Sequence, residues 1–274
     1  MTFSVVGRVA DTHGVAVASK FPAVGAYVPA TRPGVGALAT QAAANLAWRA
    51  QGLDLLTEGR SADEVVAALT AADPQAAHRQ IGIVGADSQV SWTGPECMDW
   101  AGGAAGRDDT GAFAIQGNIL VGPEVVDAMV AAWHAHASAP LPDRLVATLL
   151  AGDGAGGDRR GRQGAALVVV REGGGYDQCG VLADLRVDDH PQAATELARL
   201  LTVQDLVMGE PEDVQPLEGA LAQEVGDRLA ALGHHGEVEG ALSTWAGIEN
   251  LEMRLVPGGI DGRVLEALRA TLAP

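Results

Sequence analysis

Short β-branched or alternating runs come in groups along this chain, and the first two groups are each followed by a pair of segments with helical spacing. Residues 2–7 and 14–19, separated by Asp11-Thr12-His13-Gly14, predict an N-terminal hairpin, because Asp and Gly favour a tight turn. A run at 35–40 follows Pro33-Gly34, and 46–56 and 62–72 then carry helical periodicity, with Ser61 and Glu64 spaced as a capping box. The order repeats with strands at 80–85, 89–93 and 112–116 and helices at 123–136 and 142–150. After the Gly-rich stretch 152–157 come strands at 164–170 and 180–182 and a helix at 192–202. Grouped strands alternating with helix pairs favour antiparallel sheets covered by helices over regular βαβ repetition, so the expected class is α+β.

Residues 208–218 are acidic, polar and twice interrupted by Pro, which is linker composition. This places a main domain at 1–207 and an appendage at 219–274, with short helices expected at 220–232, 238–250 and 263–272. About 55 residues is near the lower limit for independent stability.

The longest apolar stretches, 125–133 and 164–170, are far shorter than the roughly 20 residues of a membrane span, so a soluble protein is expected. The N-terminal residues show no basic segment followed by an apolar core, which makes the cytoplasm the expected location. A net charge of −17 repels phosphate backbones and anionic lipid, so neither nucleic acid nor membrane is an expected partner. Cys97 and Cys179 lie far apart with no CxxC spacing, which points to neither a zinc site nor a disulfide framework.

Candidate chemistry begins at Thr2. If Met1 is removed, Thr2 carries a hydroxyl and a free α-amine with a pKa of about 8, so one residue supplies nucleophile and general base. Lys20 is the only lysine among 18 basic residues and ends the neighbouring hairpin strand, where a cation beside Thr2 would lower the pKa of its hydroxyl and amine. Gln116-Gly117-Asn118 follows a strand and precedes a helix, so the Asn118 amide is a candidate oxyanion donor, although Gly-Asn is also ordinary turn chemistry. The loop 157–163 carries Asp158, Arg159, Arg160 and Arg162; such arginines can clamp a carboxylate, with Asp158 orienting an arginine or the nucleophile. The same loop is equally readable as mutual surface ion pairs. Asp184, Asp188, Asp189 and His190 match no standard metal loop, and neither a metal ion nor another cofactor is expected.

The segments 2–6, 14–21, 34–41, 116–120, 157–163 and 184–191, in that order, resemble a bacterial family, the domain of unknown function numbered 1028, which is grouped with the N-terminal-nucleophile (Ntn) hydrolases. The resemblance spans about residues 1–205. It implies a four-layer αββα sandwich of two antiparallel sheets, and cleavage of amide bonds through an N-terminal Thr, Ser or Cys. Trp245-Ala246-Gly247-Ile248-Glu249-Asn250-Leu251-Glu252 through 260–265 resembles a peptidoglycan-binding appendage found behind this domain.

The expected activity is therefore hydrolysis of a C–N amide bond in a small metabolite or peptide-like substrate. Thr2, Lys20, Asn118 and Asp158 are the expected catalytic residues, and Arg159, Arg160, Gln41 and Ser19 the expected substrate-binding ones. The rivals are a non-catalytic scaffold binding an acidic metabolite through the arginines, and an acyltransferase using the same groups. Gly- and Ala-rich strands point to a homo-oligomer.

Overall fold

Two-residue periodicity in the strands decides what faces what. The computed structural model describes residues 2–271. In β1 (Thr2–Val9) and β2 (Thr12–Ser19), paired antiparallel with Phe3 opposite Ala18, side chains alternate between the two faces of the sheet. Phe3, Val5, Ala16 and Ala18 join an apolar cluster with helical residues such as Met129, Trp133, Leu145 and Leu149. Val6, Val15 and Val17 join a different cluster, whose other members are mostly strand residues, among them Ala37, Ala39, Val84, Ala112 and Ala114. Both faces of these strands are buried along most of their length, which is why Val5-Val6 and Val15-Ala16-Val17-Ala18 are unbroken apolar runs rather than alternating with charge.

The elements that follow are β3 (Pro29–Arg32), β4 (Gly36–Ala42), α1 (Ala47–Thr57), α2 (Ala62–Ala71), β5 (Arg79–Val84), β6 (Gln89–Thr93), β7 (Gly102–Asp108), β8 (Gly111–Asn118), α3 (Glu124–Ala135), α4 (Leu141–Gly154), β9 (Gly164–Val170), β10 (Val181–Val187) and α5 (Ala193–Met208). They build a mixed α/β architecture with two antiparallel sheets, ordered β10-β9-β2-β1-β8-β7 and β3-β4-β5-β6. A third apolar cluster joins Leu38, Ile81 and Ile83 of the smaller sheet to Trp48, Leu53, Val65 and Leu69 of α1 and α2. The expected capping box is present at α2: the Ser61 hydroxyl accepts from the Glu64 amide while Glu64 accepts from the Ser61 amide.

The chain divides into two units, Met1–Leu201 and Thr202–Pro274, and the division falls inside α5, ahead of the 208–218 stretch read from composition as a linker. That stretch contributes β11 (Gln215–Pro216), which pairs with β12 (Gly259–Ile260). Within the second unit α6 (Gly219–Ala231), α7 (Val238–Ile248) and α8 (Gly262–Thr271) bury Val225, Leu229, Leu242, Trp245, Leu265 and Leu268 together. The expected end of the last helix, Leu272, lies outside the described residues.

In the first unit two strands were not legible in sequence. β7 reads Gly-Gly-Ala-Ala-Gly-Arg-Asp and has no strand propensity of its own; it exists because β8 offers it a full antiparallel ladder from Gly102–Gly117 to Asp108–Gly111. β3 starts at a proline and is an edge strand. β10 also continues to Val187, through residues 184–187 that read as loop. Among the described residues no helix is long and apolar enough to cross a membrane.

Candidate active site

The alternation that buries Val6 between the sheets puts Ser4 and Thr2 on the same face, toward one end of β1. Neighbouring strands supply polar residues at the same level. β8 pairs Asn118 with Thr2 and Gln116 with Ser4, β2 ends at Ser19, and β4 and β5 place Gln41 opposite Gln80. All seven side chains are buried.

Burial favours a partner for each polar group, and most of these groups find one another, although Gln116 Oε1 has no partner among the described residues. The Ser4 hydroxyl donates to Gln41 Oε1 (2.7 Å) and accepts from Gln116 Nε2 (2.6 Å). Gln41 Nε2 donates to the Thr2 carbonyl (3.1 Å) and to Gln80 Oε1 (2.8 Å). Gln80 Nε2 donates to the Gly117 carbonyl (2.8 Å) and to Thr93 Oγ1 (2.8 Å). The network crosses from one sheet to the other and fixes the backbone at Thr2.

Thr2 Oγ1 lies 3.1 Å from Ser19 Oγ. Asn118 Nδ2 donates to Gln80 Oε1 (2.9 Å) and reaches the Thr2 carbonyl at 3.4 Å, so the amide expected to face an oxyanion is directed at these two oxygens. Gln41, expected on the substrate, lines the cavity beside Thr2 while its amide holds the Thr2 carbonyl. Met1 lies outside the described residues.

Asp158 arrives from a distant segment. The loop after α4 pairs with the residues after β8 through a Leu120–Asp158 bridge and an Arg159 N–H to Ile119 carbonyl bond of 3.2 Å. The buried carboxylate accepts the Lys20 backbone N–H (2.7 Å) and the Arg160 backbone N–H (2.9 Å), and pairs with Arg160 Nη2 at 3.2 Å. These bonds are what let a charge be buried there. Lys20 thus meets Asp158 through its backbone. Its side chain is exposed, with Nζ donating to the Arg162 carbonyl (3.3 Å), and none of its hydrogen bonds among the described residues reaches Thr2.

The three arginines of the loop part company. Arg162 forks onto Asp153 at 2.7 and 2.9 Å, Arg159 is exposed, and Arg160 alone of the three borders the cavity that holds Thr2. This cavity has a volume of ≈ 290 Å³, with Phe21, Val24, Tyr27, Val28 and Leu46 among its walls. Phe21 and Tyr27 meet edge-to-face with centroids 5.8 Å apart. On its other side Arg160 borders a second cavity of ≈ 370 Å³, with His78, Glu96, Cys97, Met98 and Asn118. His78 Nε2 lies 2.9 Å from Glu96 Oε2, and burial pushes the Cys97 thiol upward, so Cys97 is not a ready thiolate.

The glutamines at 80 and 41, Ser4 and the aromatic wall at 21 and 27 complete the site, and only Gln41 among them stood out in sequence. The available signal was a glutamine inside each apolar strand run, as in Arg79-Gln80-Ile81-Gly82-Ile83. Among the described residues no group of His, Cys, Asp and Glu could hold a metal ion.

The family model described as "Family of unknown function (DUF1028)" matches residues 2–197, more than half of the chain and all of the site. The chain belongs to the DUF1028 family. A solved DUF1028 structure from Silicibacter pomeroyi is 25% identical and superposes with a TM-score of 0.66, covering 81% of this chain and 92% of that one. A Gly-1 mutant of Anbu from Hyphomicrobium sp. strain MC1 aligns over 74% of this chain and 94% of its own at 14% identity and a TM-score of 0.34. No curated protein matches the sequence. Behind the DUF1028 region, residues 206–268 match the family described as "Putative peptidoglycan binding domain". In this DUF1028 chain every residue singled out for the site falls within the family match.

Proposed function

We propose that this chain is an Ntn-type hydrolase of a small amide, with Thr2 as the nucleophile once Met1 is removed. The observation that carries the reading is the setting of Thr2: first residue of a doubly buried strand, carbonyl held by Gln41, hydroxyl 3.1 Å from Ser19 Oγ, on the wall of a ≈ 290 Å³ cavity. The grouping of helices on the outer face of each sheet, with a separate core between the sheets, supports reading the fold as a four-layer αββα sandwich.

In the proposed reaction the free α-amine accepts the proton of the Thr2 hydroxyl, directly or through one water, and Oγ1 adds to the amide carbonyl. The amine then gives its proton to the departing nitrogen, leaving an ester on Thr2. Water hydrolyses this ester by the same relay, releasing the acid. Ser19 orients Oγ1, and Gln41 with Asn118 fixes the Thr2 backbone, so that the nucleophile is positioned before substrate arrives. Asp158 holds Arg160 at the mouth, where its guanidinium meets a carboxylate on the substrate, and the aromatic wall takes an apolar substituent.

The test combines intact mass with a β-lactone probe. The expected result is loss of Met1 and one covalent adduct per chain, absent in Thr2→Ala. Amide turnover in that variant should fall at least about 10³-fold with the melting temperature little changed. An active protein that retains Met1 would overturn the proposal.

A further inference from the structure

A third cavity, of ≈ 480 Å³, is walled by β3, α1, β9 and β10. Its apolar lining includes Pro29, Ala30, Leu46, Leu53 and Val168, and into it come two guanidinium groups, Arg49 from α1 and Arg186 from β10. Among the described residues one carboxylate, Asp184, is in its lining, and it is taken by Arg186, Nε to Oδ1 and Nη2 to Oδ2 both at 3.1 Å.

Arg49 is left with a surplus of donors. Nη1 is anchored on the Ala26 carbonyl (2.8 Å), while Nε is buried and has no hydrogen-bond partner among the described residues. Burial, and then the neighbouring Arg186 charge, push the Arg49 pKa below the ordinary guanidinium range. Two cations lining one cavity, with a single carboxylate between them, favour the entry of an anion. The backbone makes room for this arrangement. A Cβ on Gly25 would stand 2.5 Å from Ala166 Cβ and 3.2 Å from Arg186 Cγ, so only glycine leaves the Arg186 stem where it lies. In a chain of net charge −17, a niche with one net positive charge is a local inversion.

We propose that this cavity is a binding site for a monocarboxylate with an apolar body, the carboxylate bridging Arg49 and Arg186 and the body lying against Pro29, Leu53 and Val168. A single net positive charge matches one carboxylate, which would take a remaining Nη–H from each guanidinium group, because the Nε–Nη2 fork of Arg186 is already on Asp184 and Arg49 Nη1 is on the Ala26 carbonyl. The apolar wall gives the body its share of the affinity. The site is separate from Thr2, although Leu46 borders both cavities, and it does not rest on the hydrolase reading.

Titration calorimetry of the full chain with acetate, hexanoate and inorganic phosphate tests this. A saturable hexanoate site that persists in Arg160→Gln, whose Thr2 cavity lacks its cation, is expected, at least tenfold tighter than acetate and tighter than phosphate. Arg49→Gln and Arg186→Gln should each weaken it at least tenfold, whereas Thr2→Ala and Arg160→Gln leave it unchanged. Melting curves of the two glutamine variants separate lost binding from lost fold, and Arg186, half exposed on its strand, is the variant expected to fold normally. Absence of saturable hexanoate binding to the wild-type chain, or binding that survives Arg186→Gln, overturns the proposal. So does loss of binding in Arg160→Gln, which would move the carboxylate to the Thr2 cavity.

Discussion

Single residues here are buried at a cost that pH or substitution can expose. His13 is buried and its pKa is lowered to about 4, first by burial and then by Arg8, against the opposing pull of Asp11. An unfolded histidine titrates near 6.5, so between pH 6.5 and 4 the unfolded chain binds a proton that the folded one refuses. Stability should therefore be lost as pH falls through that window and level off below about 4, by roughly 3 kcal/mol at most. His13→Leu should flatten this part of the profile in urea titrations from pH 7 to 4. Equal slopes for the two proteins would show that other groups set the acid limb. Asp158 makes a kinetic prediction at the same scale. Asp158→Asn keeps the shape but removes the charge that holds Arg160, so KM for a carboxylate-bearing amide should rise about tenfold, with a smaller change in kcat. A variant with wild-type KM would exclude this positioning role.

At the level of strands, the site depends on small residues facing large polar ones. Gly82 of β5 lies against Gln116 of β8, and a Cβ on Gly82 would stand 2.0 Å from Gln116 Oε1. Because Gln116 Nε2 also donates to Ser4 Oγ, the glutamine cannot retreat without breaking the network under Thr2. Gly82→Ala should cost about 1–3 kcal/mol by overpacking. It should also reduce turnover, since the strands that hold Thr2 must separate. Denaturant midpoints measured alongside activity would show both effects, and a fully stable, fully active variant would mean that the sheets have slack at this point. The unexpected strand β7 belongs to this scale as well: its glycines and alanines say nothing about strand formation, and pairing with β8 decides it.

For the molecule as a whole, two units with separate cores imply separate dependence on their buried charges. In the second unit Arg254 is buried, pairs with buried Asp261 at 3.2 Å, and donates to the carbonyls of Leu206 (2.8 Å), Glu210 (2.9 Å) and Asp205 (2.8 Å). Asp261 in turn accepts from Val264 N–H (2.9 Å) at the start of α8. Arg254→Ala would strand both the carboxylate and the carbonyls, a loss of about 3–5 kcal/mol from that unit. Calorimetry should show the transition of the second unit lowered while amide turnover at room temperature persists. Loss of turnover in parallel would show that the first unit requires the second.

The order of strands and helices apart from β3, β7, β11 and β12, the N-terminal hairpin, the α2 capping box and the Thr2, Asn118 and Asp158 segments could be read along the chain, because periodicity, turn chemistry and caps act within a few residues. Family membership was legible for a related reason: it rests on ordered local motifs. What lies across the sheets was not. That Lys20 meets Asp158 through its backbone, that Arg160 and not Arg159 or Arg162 borders the Thr2 cavity, and that Gln80 and Ser4 support Thr2 all depend on partners more than 75 residues apart or on opposite sheets. An isolated glutamine in an apolar strand has no local reason to be there. Burial supplies the reason, because a polar group taken out of water must be paired, and only the packing of one sheet on the other determines with what.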